Sequence, residues 1–263
     1  MTSTFYGDQN LKVWGDEVHV RQQPGPEANW QDSVVLVWWD KGNAIGGFHR
    51  LGHEPNAGEG GMVTLWNVLV GPAGMQKKVH YVPLRQADLL ASGGFGGGDE
   101  SCRCEFIDGE HVWTIDEGDV SGRIAFKDVG PNVDCFPKRG IMKEGFSTAH
   151  FDIPGKVYGV LRMKGNEYRV DGLGIRDHGW GPRDWSTVYS HRWVAGTCGP
   201  ELSFIAVSWH AIDDTISNFG WVIRGDKVTL AKKLDILTCM PSSIICGGDI
   251  ANPYIQTPKW TEP

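Results

Sequence analysis

Apolar positions in this chain recur with period two far more often than with period 3.6. "SVVLVWW" (33–39), "GMVTLWNVLV" (61–70), "CRCEFID" (102–108), "HVWTID" (111–116), "GRIAFKDV" (122–129), "GKVYGVLRM" (155–163), "NEYRVDGLGIRDHGW" (166–180), "ELSFIAVSWHAI" (201–212) and "SNFGWVIRG" (217–225) are β-branched, aromatic and bounded by turn residues. Asp108-Gly109 carries a hairpin turn signal, and Lys164-Gly165-Asn166 closes a second hairpin. No segment sustains a helical apolar stripe, although "LRQADLLAS" (84–92) has the length and pattern for two helical turns. The pattern predicts an all-β protein, and many-stranded chains of this kind close into sandwiches or barrels.

Residues 137–153, "PKRGIMKEGFSTAHFDI", hold little strand pattern and read as a connector. They divide the chain into an N-terminal β domain (1–136) and a C-terminal β domain (154–263). "GGFGGGDE" (93–100) reads by composition as a flexible linker. It lacks both the strand–GxGxxG–helix context of a dinucleotide fingerprint and the Lys-Ser/Thr of a P-loop.

Composition narrows the function classes. The 263 residues carry a formal net charge of −7, with no basic tract longer than Lys77-Lys78 or Lys232-Lys233, which argues against a nucleic-acid partner. No apolar run approaches the ~18 residues of a membrane span. "MTSTFYGDQN" has neither the positive n-region nor the apolar h-region of a signal peptide, so a cytoplasmic location with reduced thiols is the expectation. Cys102 and Cys104 stand too close for a CxxC zinc knuckle. Cys135, Cys198, Cys239 and Cys246 are scattered, and all six read as buried or incidental free thiols. Twelve tryptophans imply large flat apolar surfaces.

The chemistry concentrates in "GLGIRDHGWGPRDW" (172–185). On a strand, alternation puts Arg176, His178 and Trp180 on one face and Asp177 on the other. Gly179, Gly181 and Pro182 predict a strand end or bulge around 179–182, which would re-aim Asp177, His178 and Asp184 toward one cavity, with Arg176 or Arg183 as counter-ions. A carboxyl held against tryptophan faces keeps its proton to higher pH, and histidine titrates in the useful range, so the set suits acid–base work. The same residues also fit a structural corner pinned by an Arg183–Asp184 pair. "HRW" (191–193) and "SWH" (208–210) fall on strands that should pair, bringing His191, Trp209 and His210 into play. Trp38 and Trp39 alternate to opposite faces, one to the core and the other toward a pocket. His49 and His53 have i, i+4 spacing but no HExxH pattern or third ligand, so no metal site is expected. No GxSxG nucleophile elbow is present, and Ser186, Ser190 and Ser208 lack an oxyanion context.

This stretch, together with "GFHRLGHEPNAGEGGMVTLW" (47–66) and its Arg-x-Gly-x-x-Pro-Asn pattern, resembles the two-domain lipocalin-like proteins related to carotenoid 1,2-hydratase (hydroxyneurosporene synthase) and AttH. The likeness spans about residues 33–225. It implies two calycin-like β-barrel domains packed together, with an apolar pocket at or near their interface. It further implies chemistry on hydrophobic isoprenoid or polyketide molecules without a redox cofactor. Carried over by position, Asp177 and His178 become the acid–base candidates, and Trp180, Arg183, Asp184 and Trp185 shape the site. Gly179 departs from the pattern, where serine is more usual.

The combined expectation is a cofactor-independent acid–base lyase: a hydratase or dehydratase, or a related isomerase, cyclase or carbon–carbon lyase. Its substrate is a hydrophobic isoprenoid or aromatic small molecule. Asp177, His178 and His210 are the catalytic candidates. Trp38, Trp66, His191 and Trp209 join Trp180, Arg183, Asp184 and Trp185 as substrate-contacting candidates. Two other readings stay open: a non-catalytic carrier of an apolar ligand, and a corner that only locks the domains together. A homo-oligomer is equally open.

Overall fold

A computed structural model describes residues 2–5, 13–15, 19–85, 88, 95–134 and 147–234. Strands dominate these residues. In chain order they are β1 (Thr2–Phe5), β2 (Val13–Trp14), β3 (Trp30–Asp40), β4 (Ile45–Glu54), β5 (Met62–Gly71), β6 (Gly74–Pro83), β7 (Gly97–Gly98), β8 (Cys102–Ile107) and β9 (Glu110–Glu117). β10 (Val120–Asp128), β11 (Asn132–Asp134), β12 (Ala149–Met163), β13 (Asn166–Pro182), β14 (Val188–Thr197), β15 (Ser203–Ala211), β16 (Thr215–Arg224) and β17 (Lys227–Leu230) follow. The protein is all-β, as the two-residue periodicity requires. Both expected hairpins form: Asp108-Gly109 and Lys164-Gly165 take positive φ at both positions, the geometry of a type I′ turn. No helix among the described residues is long and apolar enough to cross a membrane.

Twelve strands make one strongly curled sheet, ordered β6-β5-β4-β3-β13-β12-β10-β9-β8-β7, with β11 and β2 attached beside β12. The curl brings β7 back against β4 and β5, so the sheet is a nearly closed barrel. Its lumen is filled by alternate, inward-facing residues of the strands: Val34, Leu36 and Trp38 from β3, Leu51 from β4, Leu65 from β5 and Trp113 from β9. A second, five-stranded sheet (β1-β16-β15-β14, with β17 beside β16) packs an apolar face of Val207, Phe219, Trp221 and Ile223 toward Val133 of β11.

Three details differ from the sequence reading. Ala149–Ile153, read as connector, opens β12, which pairs with β13 along its whole length; residues 135–146 lie outside the described set. Both strands belong to the larger sheet, so the change of sheet comes at β13–β14 rather than at 137–153. The glycine-rich stretch is not a free linker where it is described, since Phe95 is fully buried against the His53 ring and Gly97–Gly98 pair with β8. Of "LRQADLLAS", only Leu84, Arg85 and Asp88 are described. Cys102 and Cys104 are buried free thiols, and burial pushes the Cys102 thiol up to about 12. Cys198 is free and exposed, while Cys135, Cys239 and Cys246 lie outside the described residues.

Candidate functional site

β13 is straight through the motif. Its register with β3 steps one for one from Leu173↔Trp39 to Pro182↔Trp30, so the expected bulge at 179–182 does not form. Gly181, with φ of 116°, and terminal Pro182 are absorbed within the strand. Strict alternation therefore survives, and it separates the two residues expected to act together. Arg176, His178 and Trp180 point into the barrel; Asp177 and Gly179 point out of it.

On the inner face, His178 is fully buried and donates from Nε2 to Asp32 Oδ1 at 2.6 Å. Phe95, Phe151 and Trp180 enclose its ring. Arg176 is equally buried, 3.1 Å from His19 Nδ1 and 3.6 Å from Asp128. His178, Asp32 and Arg176 are all fully withdrawn from solvent.

The outer face carries a different set. Cross-strand register aligns Asp152, Asp177, Val35, Arg50 and Trp66 in one row across β12, β13, β3, β4 and β5. The next row holds His150, Gly179, Ser33 and Gly52. Val35, Arg50, Trp66 and Asp177 of the first row and His150 and Ser33 of the second floor a cavity of about 320 Å³ between the two sheets. β14 and β15 roof it with His191, Trp193, Val207 and Trp209, while Arg183 and Trp185 close the side where the chain leaves β13. The volume falls at the small end of ligand cavities, and the lining is mostly apolar with a few convergent polar groups.

Those polar groups are coupled. Asp177 Oδ1 accepts the backbone N–H of Val35 at 2.9 Å, while Oδ2 lies 3.9 Å from His150 Nε2. The same nitrogen is 3.6 Å from Asp152 Oδ2. Burial raises the Asp177 carboxyl to about 6; His150 opposes that shift, and the Asp152 charge adds to it. Burial also works against the His150 cation, yet Asp152 beside it outweighs burial and raises the imidazole above its ordinary value. Two cations complete the wall. Burial brings Arg183 down to about 10, which leaves it charged near neutral pH, and lowers Arg50 as well. Ligand atoms of His150, Asp152 and Asp177 lie within 4.8 Å of one another, so this trio can hold a proton or a cation.

Six of the sequence candidates meet at this cavity: Asp177, Trp66, Arg183, Trp185, His191 and Trp209. Five do not. His178 and Trp180 are on the barrel side of β13. Trp38 is core, donating from Nε1 to His49 Nε2 at 3.0 Å, and exposed Trp39 faces the inter-sheet groove instead. Asp184 caps the 3-10 turn at Trp185–Thr187 by accepting from Ser186. No ion pair joins Asp184 to Arg183 among the described residues. His210 points away from the cavity, against Tyr189 and 3.2 Å from Asp214. His49 and His53 each have a separate inward partner, Asn67 Oδ1 and the Gly96 carbonyl oxygen, and burial lowers both imidazoles to about 4.

Sequence reasoning missed His150, Asp152, Arg50 and Ser33. The polar–apolar alternation of His150, Phe151, Asp152 and Ile153 was a legible strand signal inside the assumed connector. Gly179 also gains a reason. A Cβ there would lie 2.8 Å from His150 Nδ1 and 2.9 Å from an Arg183 guanidinium nitrogen, so a serine requires these side chains to shift.

Solved structures share this architecture. A protein of Nitrosomonas europaea assigned as AttH superposes with a TM-score of 0.56 at 12% identity, covering 76% of this chain and 67% of that one. Kievitone hydratase from Nectria haematococca gives 0.54 at 9% identity, covering 87% and 71%. CghA crystallised with Sch210972 gives 0.52 at 10%, covering 82% and 68%. At these identities the likeness is one of fold, and it bears out the AttH-like barrel architecture. No curated protein matches the chain by sequence. A family model does, over residues 15–246, and the chain therefore belongs to the family described as Domain of unknown function (DUF7064).

Proposed function

We propose that the inter-sheet cavity is the active site of a cofactor-independent acid–base lyase of the hydratase or dehydratase type. Its substrate is an apolar, aromatic-sized molecule. One observation carries the reading: Asp177, raised to about 6, faces His150 at the floor of a tryptophan-walled cavity, and Asp152 approaches the same imidazole nitrogen. Two groups that share a proton near neutral pH, set among apolar side chains, are what acid–base addition requires. The folds of kievitone hydratase and AttH lend support at the level of architecture.

In the hydration direction, the Asp177 carboxyl delivers its proton to the alkene. The electron-poor carbon that results lies among the faces of Trp66, Trp185 and Trp209, which stabilise positive charge. Water adds there, and the proton it sheds passes to neutral His150 and back to Asp177. Dehydration is the same path reversed: His150 protonates the leaving hydroxyl and Asp177 accepts the carbon-bound proton. Asp152 orients the imidazole and stabilises its charged form.

The test incubates the purified chain with isoprenoid, steroid and aryl-alkenol compounds in heavy-oxygen water, alongside Asp177→Asn and His150→Gln variants of confirmed fold. Label incorporation or water loss that disappears in both variants is the expected result. Tight binding with unaltered ligand across the panel would turn the reading to the apolar-ligand carrier.

A further inference from the structure

The cavity has a neighbour along the same gap between the sheets. Trp193 of β14 lines it, and the same side chain lines the inter-sheet groove, a space of about 790 Å³. Register shows that the groove continues the cavity in one direction. Along β3 the outward residues pass from Val35 in the cavity to Val37 and Trp39 in the groove. Their partners on β13 pass from Asp177 to Ile175 and Leu173. β14 crosses the gap in the opposite sense, from His191 at the cavity, through Trp193, to Ala195 and Thr197 at the groove. The far end of β14 is fixed against β13, since a Cβ on Gly199 would stand 3.8 Å from Leu173 Cδ2. Four residues of extended strand put Leu173 about 13 Å from Asp177.

Facing sheets ordinarily close on each other by interdigitating their side chains across about 10 Å. Here the roof drops from an indole at Trp193 to a methyl at Ala195, above a floor of Val37, Ile175 and Leu173, and space is left between them. That space is apolar. Trp39 at its edge is 49% exposed, and Val37 and Leu173 are half-buried. Charged lining residues enter only toward the far mouth, as Lys41 and as Asp171, which pairs with Lys156 at 2.9 Å. An uncovered apolar surface of this kind is what an apolar occupant covers. Continuity identifies the occupant, because a molecule seated in the cavity meets the groove as the adjoining apolar space, bordered by the same indole.

We propose that cavity and groove are two parts of one ligand site, so the ligand is an elongated molecule with a ring-sized reacting head and an apolar tail. This rests on the reading of the cavity as the ligand site but not on the reaction assigned to it. The head lies among Trp66, Trp185 and Trp209 beside Asp177. The tail passes Trp193 and runs along β13 to the level of Leu173 and Cys198. Trp193 marks the joint between the two parts, and the length of the groove past it decides how long a tail gains from burial.

The probes are 6-alkyl-2-naphthols with tails from methyl to dodecyl, with binding read from quenching of tryptophan emission and from calorimetry. Wild-type affinity should rise about threefold per added methylene and level off once the tail spans the groove. Ala195→Trp fills the groove beyond Trp193, so the rise should stop at shorter tails, while retained binding of the methyl compound certifies that the cavity is intact. Cys198 supplies an independent readout, being a free, exposed thiol on the groove lining. A long tail ending in a chloroacetamide should alkylate Cys198, as located by peptide mapping, and excess dodecyl compound should block the reaction. Flat affinity across the series with the short naphthols still bound overturns the tail site alone. A rise that Ala195→Trp leaves unchanged, or alkylation that avoids Cys198, overturns it too. A dimer that dissociates in Trp39→Ser, with no gain from the tail, gives the groove to a second copy of the chain and also overturns the tail site. Failure of every naphthol to bind defeats the cavity reading together with it. The rise and its levelling-off in a chain that turns over no alkene would leave the two-part site standing and defeat the lyase reading.

Discussion

The two faces of β13 place charge under opposite conditions. Inward, His178 and Asp32 meet at 2.6 Å in a fully buried pair. Outward, one residue earlier, Asp177 faces His150 at 3.9 Å across a cavity. The inner pair is closed: both side chains are fully buried and bonded to each other. The outer pair is held apart, with Asp177 shifted to about 6 and its second oxygen directed into space that a ligand can enter. Proximity in sequence says nothing about shared chemistry here, because a strand turns neighbouring residues to opposite sides.

Breaking the inner pair is expected to have the largest effect. His178→Ala leaves the buried Asp32 carboxylate with the Gln22 amide N–H and only the more distant charges of Arg21 and Arg183, and breaking a buried pair costs about 3–5 kcal/mol. Chemical denaturation should show that loss, or no folded protein at all. If His178→Ala instead keeps its stability and loses activity alone, the division between a structural and a chemical face is wrong.

Asp177→Asn tests the other side. No arginine pairs with Asp177 at ion-pair distance among the described residues, and asparagine retains an oxygen for the Val35 amide. The variant should fold, with turnover reduced about 10²–10⁴-fold. Its stability should also depend on pH differently. Because folding raises the Asp177 carboxyl from 3.8 to about 6, the folded state binds this proton more tightly than the unfolded chain. That stabilisation is fully present below 3.8 and is lost as pH rises through about 6. His150, also raised, contributes with the same sign, losing its stabilisation as pH climbs past its folded value. Relative to wild type, Asp177→Asn should therefore gain on the order of 2 kcal/mol between about pH 4 and pH 7. Paired denaturation curves at both pH values measure this directly, and a difference that stays flat with pH would remove the perturbed carboxyl from the argument.

The sequence carried the fold further than the site. Period-two patterning and the Asp108-Gly109 and Lys164-Gly165 turns gave the strands and two hairpins, because those signals are local. The site is not local. Asp177 was visible in the motif, but its partners His150, Ser33 and Arg50 come from three other strands, and only register brings them into two rows. His178 attracted attention by chemistry alone, although the alternation that separates it from Asp177 was legible. An assumed bulge at Gly179–Pro182 overrode that alternation. Gly181 answered a positive φ where the backbone of Thr148 comes close, and Gly179 a different need, space beneath a guanidinium. The same holds at Arg50-x-Gly52, where the guanidinium lies over the glycine two positions along. In both motif stretches the glycine is legible as a residue but its purpose is not, until the side chain above it is placed.

Gly179→Ser sharpens that point with a smaller effect. The added Cβ must displace either His150 or the Arg183 guanidinium, since both stand within 3.0 Å of its position. Overpacking of this size costs about 1–2 kcal/mol, and the displaced group is part of the site, so turnover should fall with stability. A serine variant with unchanged activity and melting temperature would mean that neither neighbour needs its present position.

His210 should give the smallest effect, and for that reason it discriminates best between motif-like appearance and placement. It sits one residue from Trp209, a cavity wall, yet its own ring turns to the far side of β15, against Tyr189 and the exposed Asp214. A pair of that kind, with one partner in water, contributes little: His210→Ala should change stability by less than about 0.5 kcal/mol and leave turnover and ligand binding unaltered. Trp209→Ala, one position away, should weaken ligand binding by removing an aromatic wall. If the two substitutions had equal consequences, the second sheet could not be presenting β15 in the orientation that makes Trp209 a roof and His210 a surface residue. The cavity itself would then have to be redrawn.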